Sequence, residues 1–237
     1  MKINKEFSIY SIFYGVLIFF IYCCHGSNLS WTEYLTKPVA LFTLLFLLRK
    51  YTYELPKGLV KGVILGLLFS ILSDLFFLFR VDFNKWFIIG TFLFSILAMY
   101  SYSYGFQHTK IKFLAIKDLK SITLINLFLS LLIVVFPISI FIIEDLELWQ
   151  YPAILYQLLL WILISQGLKR QDYVNEPSYY IVLTGIVLYS ITTMLITLQN
   201  FSHGHFDFYD LSVLTYFISQ YLLVVGSIAQ KNQISLS

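Results

Sequence analysis

The feature that most constrains this chain is a succession of eight apolar runs, each bounded by charged or turn-forming residues: Phe7–Cys24, Leu35–Leu48, Gly62–Phe79, Trp86–Phe106, Ile122–Ile143, Trp149–Leu168, Ser178–Gln199 and Leu211–Ala229. A helix that crosses a bilayer needs about 20 mostly apolar residues at about 1.5 Å each, so eight crossings take roughly 160. Roughly 77 of the 237 residues then remain for ends and loops, too few for a soluble domain of ordinary size. The composition agrees: 59% of residues are hydrophobic and 12% charged, against about 25% charged in a soluble domain. The expectation is an all-α, polytopic membrane helical bundle of eight transmembrane helices, a single integral membrane domain over 1–237. Its chemistry or binding then takes place inside the membrane or at its faces.

The breaks between runs set the orientation, because cytoplasmic loops carry the excess of Lys and Arg. Lys2, Lys5, Arg49, Lys50, Lys57, Lys61, Lys110, Lys112, Lys117, Lys120, Lys169, Arg170 and Lys231 fall on one side, thirteen of the sixteen basic residues. Only Lys37, Arg80 and Lys85 fall on the other, where Glu144, Asp145, Glu147, Asp207 and Asp210 make two connections acidic. Both termini are therefore expected in the cytoplasm and the protein in the plasma (inner) membrane. The second run is short, but Pro38 suits a first helical turn, and Trp31, Tyr34, Tyr51 and Tyr53 suit the interfacial aromatic belt. No small-x-small cleavage site follows the first run, so it reads as an uncleaved helix. Two adjacent cysteines, Cys23 and Cys24, provide no disulfide framework.

The third and seventh runs share a frame. Gly66 is followed by Ser70, Ser73 and Asp74, and Gly185 by Tyr189, Thr192 and Thr193 at the same offsets. Lys37-Pro38 through Phe42 opens the second run much as Tyr151-Pro152 through Tyr156 opens the sixth. This points to two four-helix repeats, 1–108 and 109–237, of the same orientation, related by an axis along the membrane normal, with a site between them near mid-depth.

Asp74 is the one acidic residue deep in an expected span, and a carboxylate in hydrocarbon is costly enough to mark a functional candidate. Gly62, Gly66 and Ser70 recur every fourth residue, so Asp74 extends a small, polar stripe that should face other helices. A purely structural role for Asp74, paired with Arg80 or a neighbouring helix, competes with the functional one. Lys37, Thr192, Thr193, Thr215 and Tyr216 should lie in the same outer half, with Arg80 at its mouth; snorkelling of Lys37 and Arg80, and interhelical bonding of Thr192, Thr193, Tyr216 and Gln220, are the competing readings. Cys23, Cys24, His25, His203, His205, Asp207 and Asp210 reach the outer face without a recognised ligand spacing, so no metal is expected. No cofactor motif, nucleophile elbow or nucleic-acid motif appears. The expected partners are the membrane and a lipid substrate or ligand; the sequence sets no oligomeric state.

Lys37-Pro38, Gly66 to Asp74, Gly90 with Phe94, Gly185 to Thr193, and Thr215-Tyr216 with Gln220 together give the chain a pattern that resembles the YhhN, or lysoplasmalogenase, family. The resemblance implies an eight-helix membrane hydrolase that cleaves the vinyl-ether bond of lysoplasmalogens to a fatty aldehyde and a glycerophospho-base. It departs from the family pattern at Thr193, where an Asp is usual, and at Ala98, where a His is usual. On this implication Asp74 is the general acid and Thr193 a water-holding group. Ser70, Ser73, Tyr189, Tyr216 and Gln220, with Lys37 or Arg80 on the phosphate, bind the substrate. A non-catalytic lipid-binding or transport-type protein on the same scaffold is the alternative.

Overall fold

A computed structural model describes residues 5–25, 30–78, 84–108, 150–171, 173–201 and 209–230. Among these residues the chain forms seven α-helices: α1 (Lys5–His25), α2 (Ser30–Lys50), α3 (Lys57–Leu78), α4 (Asn84–Gln107), α5 (Gln150–Lys169), α6 (Glu176–Phe201) and α7 (Tyr209–Ile228). The fifth expected span, Ile122–Ile143, lies outside the described residues, as do Arg80, His203, His205 and Asp207. The helices fall into two compact units, Met1–Gly105 and Phe106–Ser237. In the first, α2 packs on α1 and α3; in the second, α6 packs on α5 and, most extensively, on α7.

Lys57–Phe77 of α3, Glu176–Ile196 of α6 and Tyr209–Ile228 of α7 are long and apolar enough to cross a membrane, and α1 carries a shorter apolar stretch, Phe7–Cys23. The distribution of exposure is that of a chain solvated by hydrocarbon. Ile12 (66%) and Phe19 (69%) of α1 and Leu35 (63%) of α2 are exposed, while Ser70, Ser219, Gln220 and Ser227 are buried. Large apolar side chains spread over whole helix faces in this way would be a liability in water. Several inward hydroxyls are satisfied within their own helices. Thr43 donates to the Val39 carbonyl, Ser101 to Leu97, Ser165 to Trp161 and Ser227 to Leu223, at 2.7–3.0 Å.

Local sequence explains how the helices begin and end. Arg49 and Lys50 close α2, where the helix dipole favours cations. The Tyr51 N–H then bonds the Leu48 carbonyl and a 3-10 turn spans Thr52–Glu54. Pro56 holds Leu55 extended (φ −111°, ψ 152°) and starts α3 by accepting the Val60 N–H at 3.0 Å. Asn175 does the same for α6, accepting the Tyr179 N–H, with Glu176 in the first turn. One expectation is corrected here. Pro38 does not open the second helix but lies inside α2, which begins at Ser30. The apolar run starts only at Leu35, so hydropathy missed a polar first turn that continues the same helix; Pro38 leaves the Tyr34 carbonyl without its usual helical donor.

Candidate functional site

The small stripe of α3 meets α4. A methyl group at Gly62 would fall on the Gly105 backbone and 2.7 Å from the Ser101 carbonyl oxygen, and one at Gly66 would enter the Tyr102 ring. Two turns further on, Ser73 Oγ donates to the Thr91 carbonyl at 3.0 Å and lies 2.8 Å from Ser95 Oγ. Ser95 in turn donates to the same carbonyl at 2.9 Å, so two hydroxyls and one carbonyl bind α3 to α4. Beyond them stands an aromatic seam, Phe76 against Phe94 (5.0 Å between centroids) and Phe87 (5.7 Å), with Phe69 stacked on Phe94.

Asp74 follows Ser73 on α3 and is half-buried, four residues after the buried Ser70. The other acids among the described residues, Glu6, Glu33, Glu54, Glu176 and Asp210, stand in first turns of helices or in the 3-10 turn. Asp74 is thus the described carboxylate set furthest along a helix. Lys37 of α2 is buried (8% exposed). It lies thirteen residues before the end of α2, and Asp74 seventeen residues after the start of α3. At about 1.5 Å per residue in two helices joined by a short turn, the two backbone positions are offset by about 6 Å along the helix direction. Neither is without an interacting group. The first unit therefore gathers Lys37, Ser70, Ser73 and Asp74.

The second unit gathers the remaining candidates around α6. Thr192 Oγ1 donates to Thr215 Oγ1 of α7 at 2.8 Å, and Thr215 passes its own proton to the Leu211 carbonyl. Thr193 donates to the Tyr189 carbonyl at 2.9 Å and lies 3.4 Å from the Tyr156 hydroxyl of α5. With its only proton committed to that carbonyl, Thr193 meets Tyr156, or a water, as an acceptor. Tyr189 is buried with its ring 6.5 Å from that of the half-buried Tyr216, and Gln220 is fully buried one turn along α7. This cluster is made of hydroxyl and amide groups. It can orient a polar molecule by hydrogen bonds, and the described residues named in it include no carboxylate to exchange a proton.

Sequence reasoning missed three contributors. Ser95 and Tyr156 became visible only through helix pairing; the spacing of 22 residues from Ser73 to Ser95, matched by 23 from Thr192 to Thr215, is the hairpin register that could have flagged Ser95. Arg170, counted above as a loop charge, is fully buried at the end of α5. Its Nη2 donates to Ser178 Oγ (3.1 Å) and Gln230 Oε1 (3.0 Å), and its guanidinium carbon lies 4.9 Å from the centre of the Phe106 ring. Ser178 passes its proton to the Gly226 carbonyl at 2.6 Å. Burial pulls the Arg170 pKa down to about 9, which leaves it charged at neutral pH, and its Nε and Nη1 have no hydrogen-bond acceptor among the described residues.

The YhhN family model matches residues 32–227, from the first turn of α2 to the last turn of α7. The chain belongs to the YhhN family. Comparison with curated proteins and with solved structures finds no match. All the candidate residues that this YhhN chain contributes, from Lys37 to Gln220, lie inside the matched segment.

Proposed function

We propose that this YhhN protein is a lysoplasmalogenase-like membrane hydrolase that cleaves the vinyl-ether bond of a lysoplasmalogen to a fatty aldehyde and a glycerophospho-base. The observation that carries the reading is the family match across a segment whose one described carboxylate far from a helix start is Asp74, on the polar stripe with Ser70 and Ser73. Vinyl-ether hydrolysis begins with protonation of the β-carbon, which leaves an oxocarbenium ion. Water adds to that ion and loses a proton, and the hemiacetal so formed collapses to aldehyde and alcohol. Asp74 is the group assigned to deliver that proton and take one back. Lys37, or Arg80, is assigned to the substrate phosphate. Ser70, Ser73, Tyr189, Tyr216 and Gln220 are assigned to substrate binding. Thr193 is assigned to hold the attacking water, which it does only by accepting a hydrogen bond.

The reading extends to the membrane arrangement: eight spans, cytoplasmic termini and residence in the plasma membrane, supported by the thirteen-to-three division of basic residues. It also includes duplication of a four-helix unit. In its favour, Gly66 meets Tyr102 while Gly185 meets Leu222, and Ser73 meets Ser95 while Thr192 meets Thr215. The first member of each pair advances by 119 residues (185 − 66, 192 − 73) and the second by 120 (222 − 102, 215 − 95).

A second reading, a non-catalytic lipid-binding or transport-type bundle, is favoured by Thr193, which stands where the family pattern has an Asp and gives its proton to the Tyr189 carbonyl. Purified protein in detergent, offered lysoplasmalogen and followed for aldehyde release, separates the two. Turnover supports the hydrolase; tight lipid binding without turnover, unaltered by Thr193→Asp, supports the bundle.

A further inference from the structure

At the basic end of the first unit, the turn before α3 and the first turns of α3 form a groove of about 380 Å³ lined by Thr52, Lys57, Val60, Lys61, Ile64 and Leu65. Its size falls among ligand sites, which run from about 300 to 1,000 Å³. The five α3 residues are spaced as one stripe of a helix. Lys57 and Lys61 are exposed at its head, and Val60, Ile64 and Leu65 are half-buried along it. Thr52 gives its proton to the Arg49 carbonyl at 3.0 Å, so it brings no donor to the groove and any anion there falls to the lysines.

Three electrostatic terms at the head favour an anion. The stretch 49–61 holds Arg49, Lys50, Lys57 and Lys61 against Glu54, a balance of 4 − 1 = +3. Lys57 stands in the first turn of α3, which contains no acid although the helix dipole favours negative charge there. Lys57 and Lys61 are also four residues apart, where like charges repel. Below them the lining is apolar. A molecule that answers both halves carries a negative head and a hydrocarbon chain. The groove lies at the start of a helix long enough to span a membrane, where basic clusters meet lipid headgroups.

We propose that this groove holds one anionic glycerophospholipid, with its phosphate between Lys57 and Lys61 and an acyl chain along Val60, Ile64 and Leu65. Lys57 is seventeen residues, about 26 Å, from Asp74 along α3, so the lipid is distinct from the substrate of the proposed reaction and the inference stands without it. A zwitterionic lipid would fill the apolar part and leave the lysines uncompensated.

The test uses the full chain, delipidated in neutral detergent, with native mass spectrometry and thermal unfolding as readouts. Phosphatidylglycerol should be retained as a single adduct and raise the melting temperature. Phosphatidylcholine with the same chains should be retained at least about fivefold less, and inorganic phosphate should have no effect. Lys57→Gln and Lys61→Gln should each weaken phosphatidylglycerol retention about fivefold, and Lys169→Gln should not. On the wild-type chain, added salt should release the lipid. Equal retention of phosphatidylcholine, a full shift with phosphate alone, wild-type retention in both lysine variants, or indifference to salt would each overturn the proposal.

Discussion

Gly62→Ala places one methyl group where α3 and α4 touch backbone to backbone. The new carbon would overlap Gly105 Cα and approach the Ser101 carbonyl oxygen to 2.7 Å, and no side-chain rotation relieves either contact. The helices must part by about 1 Å, a gap that forfeits roughly a quarter to a half of the dispersion energy between facing atoms. Overpacking of this kind costs about 1–3 kcal/mol. The same displacement lengthens the 3.0 Å hydrogen bond from Ser73 to the Thr91 carbonyl beyond hydrogen-bonding range, for about 1 kcal/mol more. Alanine's better helix propensity returns about 1 kcal/mol, leaving a net loss of about 1–3 kcal/mol. At about 2–4 °C per kcal/mol for a chain of this size, the melting temperature in detergent should fall by roughly 2–12 °C. Gly15→Ala is the matched control, since nothing lies within 4 Å of a methyl there, and it should melt at or slightly above the wild type. Gly62→Ala melting with the wild type, while Gly15→Ala behaves as expected, would refute the close α3–α4 seam.

Arg170→Ala should cost about 3 kcal/mol in the same melting assay, because it opens a cavity and removes the donor to Ser178 and Gln230, whereas Arg170→Met, which loses the same bonds but fills the space, should cost about half as much. Equal losses would deny the cavity its cost. Thr192→Val should lose about 1 kcal/mol with the hydroxyl bridge to Thr215, and Thr192→Ser should recover most of it; indifference to both would remove that bridge. Thr193→Asp should raise aldehyde release if a carboxylate is what the position of Thr193 needs for turnover, and unchanged turnover would speak against that need.

Charge and hydropathy alone made much of the fold legible. Every described helix overlaps an expected span, and the spacing of Gly62, Gly66 and Ser70 correctly marked an inward stripe, because small residues let helices approach closely in hydrocarbon. Hydropathy failed where a helix continues through polar sequence, as in the first turn of α2, since backbone bonding does not stop where apolar character does. The site was legible residue by residue but not as groups. Asp74 stood out because isolated carboxylates in spans are costly, whereas Tyr156 and Ser95 are ordinary residues whose importance arises from what the adjacent helix places opposite them. Arg170 was misjudged because a basic residue after a run looks like a solvated loop charge, and only the convergence of Ser178, Gln230 and Phe106 encloses it.

The account turns on Asp74 as the proton donor. Aldehyde release from lysoplasmalogen should be compared for the wild type and Asp74→Asn, two proteins matched in size and differing in a transferable proton. The account predicts measurable turnover in the wild type and a loss of about 10²–10⁴-fold in Asp74→Asn with folding intact. Wild-type turnover retained by folded Asp74→Asn would contradict it.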